Sequence, residues 1–154
     1  VSICGRNEDK LNDALASLAE RHSPENIFGI QGDVRDYQQL KTLWEKTKEK
    51  FNQVDIWINN AGIAQPRYAV WEQKPELIKQ VIDTNLTGAI FECKVAIEGM
   101  LKQGFGAVYN LEGSGSSGTK LTNFALYGTT KYALRFLTES LVQETKNILS
   151  LVNL

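Results

Sequence analysis

"VDIWINNAG" (residues 54–62) is an apolar run rich in Val and Ile that stops abruptly in two asparagines, an alanine and a glycine. The run reads as a buried strand. The small residues after it, Asn59-Asn60-Ala61-Gly62, let main-chain and amide groups come close to a flat ligand. A plain turn after a strand would use the same residues, so the weight falls on what flanks them.

Towards the N-terminus, "VSIC" (1–4) and "IFGIQGDV" (27–34) read as two further strands. Asn7 can cap a helix over about 8–21, with Leu11, Leu15 and Leu18 at helical spacing, and Ser23-Pro24 breaks it. Asp36 can cap a second helix over about 37–51. Towards the C-terminus, a polar connection runs from Ile63 to about Pro75. A long helical pattern then covers about 76–102, and "GAVYNLE" (106–112) is a fourth strand. "GSGSSGTKLTN" (113–123) is a Gly/Ser loop, and a last helix covers about 124–148. Strands alternating with helices of crossover length predict an α/β fold, a Rossmann-type doubly wound parallel sheet covered on both faces. Ligands bind at the C-terminal ends of such strands, where the Asn/Gly turn and the Gly/Ser loop both lie.

The 154 residues are enough for one core. Apolar residues make up 42%, charged residues 23%, and the formal net charge is −1. This balance points to neither nucleic acid nor an anionic membrane surface, and no apolar run reaches the length of a membrane span. One histidine, His22, and two distant cysteines, Cys4 and Cys93, predict no metal site and no His-based triad. The thiols read as free and buried, in a reducing cytoplasm.

"NFALYGTTKYALRF" (123–136) places Tyr127 and Lys131 four residues apart, on one helix face. A solvent-facing pair would look the same. The functional reading is acid–base chemistry. A free tyrosine ionises near pH 10, and a close ammonium favours the phenolate. Bringing the phenol near neutrality takes roughly 4 kcal/mol of differential interaction. Asn85-Leu86-Thr87-Gly88 sits inside the long helical pattern, where Asn and Gly are poor residues; it is either a tolerated defect or a bend that exposes an amide or a carbonyl. Ser114 precedes Tyr127 by thirteen positions, at the mouth of the fourth strand, and its hydroxyl could help hold a substrate oxygen.

"NNAG" (59–62), "NLTG" (85–88) and "YGTTK" (127–131), in this order on alternating strands and helices, resemble the short-chain dehydrogenase/reductase family over essentially the whole chain. The resemblance implies an NADP(H)-dependent enzyme that interconverts a small-molecule carbonyl and an alcohol. Tyr127 would be the general acid, and Lys131 its tuner and the holder of the nicotinamide ribose. Ser114 would orient the substrate oxygen and Asn85 would support a water in a proton relay. The same loop leaves other serine assignments open: counting from Asn110 lands on Gly113, and Ser116 is one slip away. On the cofactor side the resemblance implies Asn59, Ala61 and Gly62 after the third strand, with Asp33 and Val34 at the adenine ring. Arg6 stands where NAD-preferring members carry an acidic residue, and a guanidinium suits a 2′-phosphate. "DIWINNAG" and the acidic-Gly element at 112–113 look most like the chlorophyll b reductase branch, which implies a bulky ring substrate with a formyl or similar carbonyl.

The family's Gly-rich TGxxxGxG turn and its C-terminal strands have no counterpart in residues 1–154. The resemblance therefore implies a partial domain, truncated at both ends, with unpaired backbone groups where the central first strand belongs. It also implies a homodimer or homotetramer through the helices at about 76–102 and 124–148. The competing expectation is a degenerate chain that binds no cofactor and acts by association.

Overall fold

The computed structural model describes residues 1–146. Four short strands alternate with helices: β1 (Ser2–Gly5), α1 (Glu8–Ala19), β2 (Phe28–Gln31), α2 (Tyr37–Phe51), β3 (Ile56–Asn59), α3 (Pro75–Ile82), α4 (Ala89–Gln103), β4 (Ala107–Asn110) and α5 (Ala125–Thr145). Both expected caps form. Asn7 Oδ1 accepts from Lys10 N at 2.8 Å, and Asp36 Oδ1 accepts from Gln38 N at 2.9 Å and Gln39 N at 3.2 Å. Each satisfies amides that a helix start leaves without partners. The last residues expected in the final helix, 147 and 148, lie outside the described residues.

All pairing is parallel. β1 pairs β2 with Ser2 opposite Phe28, and β3 pairs β4 with Ile56 opposite Ala107. These are two separate two-stranded sheets. Between the inner edges of β1 and β3 runs a slot of about 810 Å³, lined by Ser2, Ile3 and Cys4 on one side and by Ile56, Trp57 and Ile58 on the other. The expected break in the sheet is therefore present.

The core lies on the face covered by α2 and α4. Leu40, Leu43 and Trp44 of α2 pack with Cys93, Val95, Ala96 and Met100 of α4 against Trp57 and Val108. The opposite face of β3–β4 corrects the expectation of a sheet covered on both faces. Ile56 and Ile58 are 58% and 57% exposed, and Tyr109 and Leu111 are exposed too. Alternation along the strands explains the split: Trp57 and Asn59 face the helices, and their neighbours point away from them. The thiols also depart from expectation. Cys93 is buried in the core, but Cys4 is exposed and lines the slot, because β1 has no strand on that edge.

The long helical pattern is one continuous rod only in outline. Between α3 and α4 the six residues Asp83–Gly88 form a π-helical segment. The Asn and Gly that are poor in an α-helix sit in this widened turn, a feature common at functional sites. Gly88 is required there: a Cβ would lie 2.8 Å from Val34 Cγ2, so only glycine lets the segment pass the turn after β2.

Candidate active site

The widened turn presents Asn85, which is 1% exposed. Its Oδ1 accepts from Ile63 N at 2.8 Å, and its Nδ2 donates to Ile63 O at 2.9 Å and to Thr130 Oγ1 at 3.2 Å. The amide thus clamps the chain just past Gly62 and ties it to α5. Thr130 in turn donates to the Tyr127 carbonyl at 2.7 Å. Neither Thr130 nor Ile63 stands out in the sequence, since both look like ordinary core residues.

Tyr127 and Lys131 project from the first turns of α5 towards the same place. Lys131 Nζ lies 5.8 Å from the centre of the Tyr127 ring and donates to Leu111 O at 2.8 Å. The lysine is 6% exposed. Burial pulls its pKa below the usual lysine value, and the nearby Glu112 carboxylate partly opposes this. One of its three ammonium protons goes to Leu111, which leaves two donors for a ligand. A Cβ on Gly62 would sit 3.6 Å from Asn85 Oδ1 and 3.9 Å from Lys131 Nζ. Gly62, Asn85, Tyr127 and Lys131 are therefore brought together.

The Gly/Ser loop closes the other side. A Cβ on Gly113 would fall 2.6 Å from Tyr127 Oη, so the phenol oxygen rests against this glycine. Ser114 follows it and is exposed. Ser116 is buried and lines a separate 390 Å³ hollow with Tyr132, Arg135 and Phe136. Two glutamines that sequence reasoning missed hold the entrance. Gln65 Oε1 accepts from Tyr127 N at 3.0 Å, and Gln65 Nε2 donates to Asn123 O at 3.3 Å. Gln73 Nε2 donates to Pro66 O and Tyr68 O.

At the far end, Arg6 is exposed after β1 and makes no ion pair among the described residues. Asp33 lies close enough for Arg6 to contribute to its charge balance. Hydrogen bonds from Arg35, at 3.0 Å from Nε and 2.5 Å from Nη2, hold the Asp33 carboxyl below the usual range against its partial burial. Val34 and Ala61 both line the slot. Asn59 is placed elsewhere. Its amide is buried in the core, accepting from Trp57 Nε1 at 2.6 Å and donating to Asn110 Oδ1 at 2.8 Å. It supports β3 against β4 rather than facing the other site residues.

One buried acid remains. Glu92 of α4 lines the slot, is 6% exposed, and its Oε2 has no hydrogen-bond partner. Burial raises its pKa to about 8.

The family model for the short chain dehydrogenases matches residues 1–150, and the chain belongs to that family. Among curated relatives, chlorophyll(ide) b reductase NOL of Oryza sativa subsp. japonica is 36% identical over 146 residues, which cover 94% of this chain and 43% of the relative. The 3alpha-hydroxysteroid dehydrogenase of Mediterraneibacter gnavus is 32% identical, covering 94% of this chain and 57% of the relative. The chain thus spans about half the length of the curated relatives it matches. Among solved structures, ElxO with NADP bound superposes with a TM-score of 0.87 at 31% identity, over 96% of this chain and 58% of that one. An actinorhodin polyketide ketoreductase with NADPH superposes with a TM-score of 0.90 at 28% identity, over 100% of this chain and 57% of that one. These likenesses support the Rossmann fold and the chlorophyll b reductase-like branch. The rice relative is named as chloroplastic, whereas thiol usage alone led to a cytoplasmic expectation. No helix among the described residues is long and apolar enough to cross a membrane.

Proposed function

We propose that the protein is an NADP(H)-dependent oxidoreductase that interconverts a carbonyl and an alcohol, with Tyr127 as the general acid/base. The observation that carries this reading is the convergence of the Tyr127 ring and the Lys131 ammonium beside Gly62 and Asn85. Tyr127 Oη holds the proton that passes to the substrate oxygen. The ammonium of Lys131 stabilises the negative charge left on the phenol oxygen. Asn85 acts by position: with both amide ends committed, it fixes the main chain at Ile63 and keeps the pocket floor rigid. Ser114, exposed and next in the chain to the Gly113 that meets the phenol, is the hydroxyl that holds the substrate oxygen.

The residues fit a dinucleotide. Lys131 retains two free donors for ribose hydroxyls, and Gly62, without a side chain, lies directly against Asn85 and Lys131. Arg6 supplies a guanidinium for a 2′-phosphate, Asp33 and Val34 an edge for adenine, and Ala61 a small contact at the slot. NADPH, when bound, supplies the hydride.

The names of the plant relatives support a formyl or similar carbonyl on a bulky ring as substrate. Exposed Ile90 and Leu101 of α4 and Tyr132 and Phe136 of α5 support assembly of like subunits through those helices. The test uses NADPH deuterated at the transferable position and an aromatic aldehyde. Deuterium on the product carbinol carbon is the expected result. Saturable NADPH binding without transfer would sink the reading, and no saturable NADPH binding with a defined oligomer would favour association without chemistry.

A further inference from the structure

Beside the phenol of Tyr127 lies a second ring and then a cation. The Phe124 ring centre is 4.8 Å from that of Tyr127, and the Arg67 Cζ lies 5.6 Å from the Phe124 centre. Arg67 comes from the connection between β3 and α3, and that connection is pinned on both sides of it. Gln65, 6% exposed, ties it to the start of α5 by accepting from Tyr127 N and donating to Asn123 O. Gln73, 7% exposed, donates to the carbonyls of Pro66 and Tyr68, the two neighbours of Arg67. Burying two amides is costly unless each is hydrogen-bonded; here Gln73 is spent on the backbone around Arg67 and Gln65 on the backbone that flanks Phe124.

The guanidinium itself has no acidic partner. Arg67 is exposed and, like several other surface cations, pairs with no carboxylate among the described residues; what sets it apart is its place over the Phe124 ring. Glu72, on the same connection, is engaged: it accepts from Ala69 N. A cation stacked on an aromatic face keeps its N–H edge free for a planar anion.

We propose that Arg67 reads a carboxylate at the end of a flat substrate remote from the reacting carbonyl, with the Phe124 face as the wall along which that substrate lies. This rests on the reading of Tyr127 as the acid at the carbonyl. Arg67 is a specificity residue and takes no part in proton transfer.

The test compares 6-formyl-2-naphthoate with its methyl ester, titrated by calorimetry into the protein with NADPH present. Wild type should bind the acid about tenfold more tightly than the ester, the ratio of one charge-assisted hydrogen bond, and added salt should shrink the gap. Arg67→Gln should bring the two probes within about twofold of each other, and Arg67→Lys should restore part of the preference. Equal binding of acid and ester by wild type overturns the proposal. So does a preference that survives Arg67→Gln, or no saturable binding of either probe. Turnover followed on the same samples separates the two readings: binding preference without oxidation of NADPH retains the carboxylate site and sinks the reductase.

Discussion

Lys131 reaches back one helical turn to place its ammonium 5.8 Å from the centre of the Tyr127 ring, and its position is fixed by donation to Leu111 O at 2.8 Å. The carbonyl that fixes it directly follows β4, so sheet and helix together set the distance between the Tyr127 ring and the ammonium. Burial makes this lysine easier to deprotonate than a free one. Lys131→Met should therefore lower kcat by about 10²-fold or more and weaken NADPH binding as well. In wild type the alkaline loss of activity should set in below the usual lysine value of 10.5, because the charged form that holds the ribose and the phenolate disappears early. A pH–rate profile that stays flat through pH 10 contradicts this.

Gly113 should be intolerant for a reason of space. Its Cβ would fall 2.6 Å from Tyr127 Oη, and its backbone is not among those with positive φ. Gly113→Ala should displace the phenol with little strain in the loop. Turnover should fall about tenfold to a hundredfold, the cost of misplacing a reacting group by around 1 Å, while the melting temperature moves by only a few degrees. Unchanged turnover would mean that the phenol works from another position.

Arg6 should set cofactor preference. Arg6→Asp exchanges an unpaired guanidinium for a carboxylate next to Asp33. The ratio of kcat/KM for NADPH over NADH should fall at least about tenfold, through the NADPH arm, as expected for loss of a charge-assisted phosphate contact. A ratio that stays put would move the 2′-phosphate contact away from β1.

Glu92 should make stability depend on pH. Its folded value is raised from 4.5 to about 8 by burial. Below pH 4.5 both states hold the proton. Between 4.5 and 8 the unfolded chain releases it and the folded chain does not, so stability falls as pH rises. The slope is about 1.4 kcal/mol per pH unit at most, or up to about 4 kcal/mol from pH 5 to 8. Glu92→Gln removes the acid that also faces Cys4 and Cys93. Urea unfolding at pH 5 and 8 should show a clearly smaller difference for the variant. Equal differences would mean that the acid is ionised in the fold.

The alternation of strands and helices was legible because the elements carry their own period, and the first two helices also a capping side chain in Asn7 and Asp36. Tyr127, Lys131, Asn85 and Gly62 were legible as motifs, since their spacing survives in one dimension. What the motif for Asn85 could not disclose is the π-helical turn that aims it, nor that Gly88 in that turn lies against Val34 of another element. Asn59 illustrates the converse: a motif residue whose amide turns out to serve Trp57 and Asn110 in the core. Gln65, Gln73 and the Arg67–Phe124 pair were invisible because their partners lie far away in sequence or are backbone groups that carry no sequence signal. The bare face of β3–β4 was misjudged because alternation reports which residues could be covered, and not what covers them.

Tyr127→Phe tests the central claim most directly, since it deletes one oxygen and leaves the ring that packs on Phe124. NADPH titrated by nicotinamide fluorescence and turnover of an aromatic aldehyde should be measured on the same preparation. The account predicts turnover reduced by at least about 10²-fold with NADPH affinity nearly unchanged. Turnover close to wild type would contradict it, because the proton would then be coming from another group.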